Sequence, residues 1–273
     1  MENLVRLLNT LLPLGYGGAL SAYSMAFFGG QPLASRLARR AMEATLAAHV
    51  LFLVALTAVE RHIPLSSGPE IMTVLALAVA IVYVAVERRT GVERTGMFLT
   101  LLPLTLQIVS SSFLEFQTVF PAILESPLFV LHTIAAVVGY AGFCVSAVYS
   151  GLYLVLHRSL KHGRFGLVFD RLPPLEVLAR MSVGAARAGV SSLMVTIVVG
   201  SAWAFSAAPG FVRDPKFLLT VAVWGGYLIA IMLHRRSWWS DRRTVAGFLV
   251  GFVLLVGAAL ASRLIFDSFH TFA

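Results

Sequence analysis

Residues 200–234 read GSAWAFSAAPGFVRDPKFLLTVAVWGGYLIAIMLH, and this stretch decides the fold. Two apolar segments flank a short polar loop that holds an acid, a proline and two bases at positions 213–216. The second segment ends at His234, directly before two arginines. About 20 apolar residues in a helix cross the hydrocarbon layer of a bilayer. The stretch therefore predicts two transmembrane helices joined by a loop outside the bilayer.

The composition extends this prediction to the whole chain. Its 273 residues are 58% apolar and 12% charged, with a mean hydropathy of +0.85. A soluble domain has about 25% charged residues. The apolar runs are continuous, whereas the strands of a membrane barrel alternate in polarity. We predict an all-α polytopic membrane bundle in a single integral membrane domain, residues 1–273, with about eight transmembrane helices.

The eight spans divide the chain into two halves. Four N-terminal spans lie in residues 1–126, at about 4–28, 41–59, 71–86 and 97–113. Four more lie in residues 127–273, at about 128–156, 190–208, 217–233 and 244–265. Before the sixth span, Leu175, Leu178 and Met181 are spaced three apart. This spacing predicts an amphipathic helix over 173–188 that lies on the cytoplasmic membrane surface.

The basic residues predict the orientation. Of the 21 lysines and arginines, 16 fall in alternate loops. The positive-inside rule places these loops in the cytoplasm and both termini on the outer side of a bacterial-type inner membrane. The net charge of +8 is then explained by basic loops that orient the chain in the membrane, and we predict no nucleic-acid partner.

Two histidines on the predicted outer side form a candidate site. His132 opens the fifth span and His270 follows the eighth. Two neutral imidazoles at one depth in a bundle are a common way to hold haem iron at both axial positions. The alternative is a pair of interfacial histidines in contact with water.

Two further histidines belong to spans. His49 lies in the second span, ~13 Å beyond Arg40 at 1.5 Å per residue, and an ionisable group there is a functional hypothesis. The alternative is a core histidine bonded to a neighbouring helix. His234 lies at the cytoplasmic end of the seventh span, where an ordinary interfacial role is the alternative. His62 is assigned to an external loop, and no sequence pattern indicates a zinc site, a nucleotide loop or a hydrolytic triad.

From Leu131 to its end, the chain resembles the CcsA/ResC-type cytochrome c assembly proteins and their relatives of the HemX type. The first half resembles them only in general character. The matching phrases, in order, are Leu131-His132, Gly139-Tyr140, Leu172-Pro173-Pro174-Leu175-Glu176 with Leu178, Gly200 with Trp203-Ala204, Asp214-Pro215-Lys216, Trp224 with Tyr227, Leu233-His234 and His270.

The resemblance implies a haem-handling protein. The family takes haem from the cytoplasmic side and presents it outside for attachment to apocytochrome c. By this resemblance His132 and His270 match the two outer axial ligands, and His234 matches the histidine of an inner haem. A partner membrane protein usually contributes the other inner ligand in the family. That His49 takes this place here is our own inference.

The polar loop adds cations to the outer site. Arg213 and Lys216 are predicted to pair with the propionates of haem b, since charge-assisted bonds to carboxylates are strong. A plain basic loop is the alternative. The chain departs from the family at residues 205–213, which contain no tryptophan, so that Trp203 alone precedes the Asp-Pro-Lys phrase. HemX-like relatives share this loss, which favours haem binding over haem transfer.

Three functions remain open. The first is a membrane haem-binding protein with bis-histidine ligation, in cytochrome c maturation or haem handling, which need not be an enzyme by itself. The second is a di-haem b-type cytochrome subunit that moves electrons across the membrane, with quinone or cytochrome c as a partner. The third is a non-haem regulatory membrane protein. An absorption spectrum separates the third function from the first two.

Overall fold

A computed structural model describes residues 1–30, 32–115, 126–163, 165–207 and 215–264. All regular structure in these ranges is helical, which confirms the all-α prediction. The helices are α1 (Glu2–Gly29), α2 (Pro32–Glu60), α3 (Gly68–Thr90), α4 (Gly96–Phe113), α5 (Pro127–Lys161), α6 (Leu167–Arg171), α7 (Leu175–Ala207), α8 (Pro215–Arg235) and α9 (Asp241–Leu264).

Within the described residues, six helices are long and apolar enough to cross a membrane, namely α2, α3, α4, α5, α7 and α8. The protein is therefore a multi-pass membrane protein. The other two predicted spans correspond to α1 and α9, which contain 28 and 24 residues. The count of eight spans stays a prediction.

The second span starts earlier than its apolar run. Helix α2 begins at Pro32, so the three arginines predicted to lie in a loop (Arg36, Arg39 and Arg40) belong to the helix. Arg39 Nε lies 3.1 Å from Glu87 Oε1, and the Arg39 guanidinium also pairs with Glu93. These ion pairs give the polar turns of α2 partners on and after α3, so the helix extends beyond the apolar segment.

The structure also differs from the prediction at residues 173–188. No separate surface helix forms there, because residues 175–188 are the first part of α7, a single helix of 33 residues. Leu178 and Met181 are buried. Ser182, on the same stretch, bonds to the hydroxyls of Ser146 and Ser150 on α5. The apolar face that the spacing predicted therefore packs against protein, and the helix continues into the sixth span.

The chain forms two compact units. The first contains residues 1–120 and 159–173, and therefore α1–α4 and α6. One of its cores joins α1 to α2 through buried apolar side chains: Val5, Leu8, Leu12, Phe52, Ala55 and Leu56. The carboxylate of Glu87, 1% exposed, accepts a 2.6 Å hydrogen bond from Tyr23 in addition to its bond from Arg39. These polar contacts tie α1, α2 and α3 together.

The second unit contains residues 121–158 and 174–273, and therefore most of α5 with α7, α8 and α9. The rings of Phe143, Tyr227 and Phe248 stack in its core, with centroid distances of 4.1 and 5.2 Å. Helices α5 and α7 approach closely, since a Cβ on Gly142 would lie 2.8 Å from the backbone nitrogen of Gly189. This contact aligns the helices that carry His132 and its partners.

Candidate functional site

His132 lies on the second turn of α5 and reaches across to α7. Its Nδ1 is 2.9 Å from the backbone carbonyl oxygen of Thr196. A carbonyl oxygen only accepts hydrogen bonds, so Nδ1 carries the proton and donates it. In the neutral imidazole, Nε2 then holds the lone pair. This is the arrangement of metal-ligating histidines, whose second nitrogen donates to a carbonyl or a carboxylate.

The imidazole rests against Gly200, one turn after Thr196. A Cβ on Gly200 would lie 2.6 Å from Cε1 of His132, far inside contact distance. The absence of a side chain at this position lets the ring approach the α7 backbone. Gly200, which the sequence marked only as part of a family phrase, therefore shapes the site.

Two aromatic rings lie one turn beyond the imidazole. Phe129 precedes His132 by one turn on α5, and Trp203 follows Gly200 by one turn on α7. Their ring centroids are 5.8 Å apart, with planes inclined at 57°. The structure thus brings predicted site residues His132 and Trp203 to one end of α5 and α7. His270 and Arg213 lie outside the described residues, as does the side chain of Lys216, and their roles stay predictions.

His234 faces a different part of α7. It lines a cleft of about 280 Å³ together with Glu176, Ala179, Arg180, Val183, Gly184, Arg187 and Asp241. Its Nδ1 lies 3.4 Å from Thr244 Oγ1 and 3.6 Å from Asp241 Oδ1. The Thr244 hydroxyl donates to the carbonyl of Ser240, so it accepts from Nδ1. In the neutral ring, Nε2 of His234 again holds the lone pair.

The cleft beside His234 contains two cations without ion-pair partners in the described part of the chain. Arg180 and Arg187 both extend from α7 into the lining. Guanidinium groups bind carboxylates through strong, charge-assisted hydrogen bonds. The cleft therefore combines a histidine suited to metal ligation with groups suited to an anion.

The two histidines occupy different levels of the second unit. His132 contacts α7 at Thr196 and Gly200, whereas the cleft of His234 uses α7 residues up to Arg187. Gly184 and Gly200 are 16 residues apart in one helix, which corresponds to ~24 Å at 1.5 Å per residue. The second unit thus carries two candidate sites near opposite ends of α7.

His49 has a different environment in the first unit. It is 0% exposed, and both of its nitrogens make hydrogen bonds. Tyr16 Oη lies 2.9 Å from Nδ1, and Thr73 Oγ1 lies 2.9 Å from Nε2. Because the Thr73 hydroxyl donates to Gln107 Oε1, it accepts from Nε2, and Nδ1 accepts from Tyr16. His49 and His234 belong to different units, and their pairing stays a prediction.

The structure also groups three side chains that the sequence did not mark as a site. Glu60, His62 and Glu70 each offer a ligand atom, and these atoms lie within 4.8 Å of one another. The only local signal was the pattern Ser67-x-x-Glu70, which is typical of a helix N-terminus. Nothing in the spacing predicted that His62 folds back towards Glu60 and Glu70.

Long apolar helices that carry histidines define a class, the polytopic membrane proteins with imidazole groups on their helices. Within this class, the chain belongs to the cytochrome c assembly protein family, whose pattern matches residues 39–270. The resemblance is therefore confirmed, and it extends well into the half that matched only in general character. Family membership supports a haem-related role in the membrane.

Two curated relatives match shorter segments. The chain is 32% identical over 116 residues to Protein HemX of Brevibacillus brevis, which is 42% of each chain. It is 32% identical over 82 residues to Protein HemX of Bacillus subtilis (strain 168), which is 30% of each chain. The matched segments thus cover less than half the length of either relative.

Proposed function

We propose that this protein binds haem b in the membrane, with His132 and His270 as the residues that would hold an outer haem. The observation that carries the proposal is the bond from His132 Nδ1 to the Thr196 carbonyl. This bond orients the ring and, in the neutral imidazole, puts the lone pair on Nε2, as in histidines that ligate metals. Gly200 admits the ring, and Trp203 with Phe129 supplies an aromatic surface one turn away. Arg213 and Lys216 pair with propionates of this haem.

His234 holds a second, inner haem. Its Nδ1 is placed against Thr244 and Asp241, which again leaves Nε2 for iron. Arg180 and Arg187 supply charges complementary to propionates in the same cleft. The second inner ligand comes from His49 or from a partner membrane protein.

Family membership supports a proposal for the biological role. The protein acts in cytochrome c maturation or haem handling, in a bacterial-type inner membrane with both termini on the outer side. Bound haem supplies the iron chemistry, and the chain orients it. A partner subunit and cytochrome c are the expected contacts, and the chain need not be an enzyme by itself.

A second candidate is electron transfer across the membrane, with quinone as the redox partner. The observation that favours it is the ~24 Å separation of the two sites along α7, since two haems at these levels would form a path through the bilayer. The lack of tryptophan in residues 205–213 also favours retention of haem over its transfer.

The test uses the full chain, purified in detergent after expression with added haem precursor. We expect stoichiometric haem b by the pyridine haemochrome assay and the sharp visible bands of low-spin, six-coordinate iron. A preparation without haem that takes up none on titration would refute both functions. Reduction of bound haem by a quinol supports electron transfer, whereas delivery of haem to an apocytochrome c supports maturation.

A further inference from the structure

The loop between α2 and α3 joins three ligand-type side chains. Glu60 is the last residue of α2, His62 follows two residues later, and Glu70 lies in the first turn of α3. Glu60 Oε2 and His62 Nε2 are 3.0 Å apart, and a carboxylate oxygen of Glu70 completes a set within 4.8 Å. The side chains are largely buried, at 2% exposed for Glu60 and 14% for His62. Glu70 is 0% exposed.

Glu70 is held by only one of its two carboxylate oxygens. Oε2 accepts hydrogen bonds from the backbone nitrogen of Ser66 at 2.8 Å, from the Ser66 hydroxyl at 2.9 Å and from the Ser67 nitrogen. The reciprocal bond from Glu70 N to Ser67 Oγ completes a capping box. Oε1 is buried and accepts no hydrogen bond within the described residues. A buried oxygen without a partner is costly, so this atom is suited to a ligand.

His62 is oriented in a similar way. Its Nδ1 donates a 2.8 Å hydrogen bond to the carbonyl of Ile63. In the neutral imidazole, the lone pair on Nε2 then faces the carboxylate of Glu60. Two acceptor atoms at 3.0 Å repel each other unless a proton or a cation lies between them. A cation between these two atoms would remove the repulsion, and it would also give the open oxygen of Glu70 a partner.

We propose that Glu60, His62 and Glu70 bind a divalent transition-metal ion of the zinc type. One imidazole nitrogen and two carboxylate oxygens suit this ion, which takes such ligands at ~2.0–2.2 Å. Calcium and magnesium prefer sites made of oxygen alone. Two carboxylates also match the ion's charge. Water fills the fourth position, and the ion fastens the end of α2 to the start of α3.

The supporting contacts strengthen this assignment. In metal sites the ligands are themselves held by hydrogen bonds, which orient the coordinating atoms. Here Ile63 holds His62, and Ser66 and Ser67 hold Glu70. All three ligands belong to the first unit, and none is a proposed haem ligand. The proposed metal site can therefore be tested independently of haem binding.

The experiment measures metal binding by the full chain in detergent, after treatment with a chelator. Zn²⁺ binding is followed by equilibrium dialysis with elemental analysis, and Co²⁺ serves as a coloured probe of the ligand set. Glu70→Gln is the central variant, because glutamine keeps the capping box. His62→Ala is the second variant. Glu43→Gln, an exposed carboxylate on α2, and His157→Ala on α5 are the matched controls.

We expect one ion per chain, and at least ~10-fold weaker binding in Glu70→Gln and in His62→Ala, the loss that even a supporting residue of a metal site causes. The controls should bind as the unchanged chain does. Zn²⁺ should also raise the thermal midpoint of the unchanged chain but not that of Glu70→Gln, since a ligand stabilises the state that binds it. Absence of binding, or equal binding by both variants and the unchanged chain, would overturn the proposal.

Discussion

His49 and His132 are histidines in apolar helices, yet their surroundings differ. His49, in the first unit, uses both nitrogens in hydrogen bonds to Tyr16 and Thr73 and is 0% exposed. His132, in the second unit, is half-buried and has its Nδ1 committed to the carbonyl of Thr196. The proton positions therefore differ: Nε2 is a donor in His49, and in neutral His132 it holds the lone pair.

This comparison separates two uses of a histidine inside a membrane protein. The hydrogen bonds of His49 form part of a directional chain that runs from Tyr16 through Thr73 and Gln107 to Ser111. An iron ion at His49 would have to replace one of these partners. At His132 the hydrogen bond from Nδ1 to a carbonyl is of the kind that histidines in metal sites make. The hydrogen bonds thus favour a supporting role for His49 and a binding role for His132.

The largest expected effect is that of His132→Gly. Loss of the proposed imidazole ligand should weaken outer-haem binding by at least ~10-fold, since loss of a residue that only supports a ligand already costs ~10- to 100-fold. Free imidazole added to the variant should restore the low-spin spectrum, because it fills the space left by the side chain. His157→Gly is the control. If His132→Gly keeps full haem content and an unchanged spectrum, His132 is not a haem ligand, and its role does not differ from that of His49.

A smaller effect is expected from Gly200→Ala. Its new methyl group would collide with the His132 ring, and overpacking of this kind costs about 1–3 kcal/mol. Gly151→Ala on α5 is the matched control, because nothing lies within 4 Å of its added Cβ. Both changes alter helix propensity equally, by about 1 kcal/mol in favour of alanine.

Haem titration distinguishes these two glycine variants. Gly200→Ala should bind outer haem more weakly and show partly high-spin iron, whereas Gly151→Ala should match the unchanged chain. Equal haem affinities in the two variants would show that the His132 ring does not require glycine at position 200. The close approach of His132 to α7 would then no longer support the proposed haem site.

The six apolar helices long enough to cross a membrane were predictable from the sequence, whereas the contacts that extend the helices were not. Continuous apolar runs mark α3 and α4 nearly to their ends. Helix α2 extends further because Arg39 forms an ion pair with Glu87, which lies 48 residues away in the sequence. The sequence around Arg39 does not predict such a partner, because the two positions become neighbours only when the helices pack.

The candidate site shows the same division. The apolar run predicted that His49 lies inside a helix, but its partners Tyr16 and Thr73 lie on other helices. The Ser67–Glu70 capping box is readable as a motif, and the approach of His62 to it is not. Likewise, the position of Gly200 beneath the His132 ring required the packing of α5 on α7.

Tyr16→Phe tests the supporting role of His49. The change removes the donor to His49 Nδ1 and leaves a buried acceptor unsatisfied, which should cost about 1–2 kcal/mol of stability. Haem content should not change. Unfolding in mixed micelles measures the first quantity and the haemochrome assay the second. A loss of haem with little loss of stability would instead favour His49 as an inner ligand, paired with His234 as predicted.

The smallest expected effect concerns the far end of the same chain of hydrogen bonds. Ser111 Oγ accepts from Gln107 and donates to the carbonyl of Asn9, so Ser111→Ala should cost about 0.5–1.5 kcal/mol. The informative quantity is the coupling free energy, which is the difference between the stability loss of the double variant Tyr16→Phe/Ser111→Ala and the sum of the two single losses. Changes at distant sites without shared partners add to within about 0.5 kcal/mol.

Tyr16 and Ser111 share no direct contact but are joined through His49, Thr73 and Gln107. Each donor in a hydrogen-bonded chain polarises the next, so the two losses should overlap by more than about 0.5 kcal/mol. Additive losses of stability would mean that each hydrogen bond contributes independently of the others. His49 would then be stabilised by its two neighbours alone, and exchanging one of them for iron would disturb little else in the first unit.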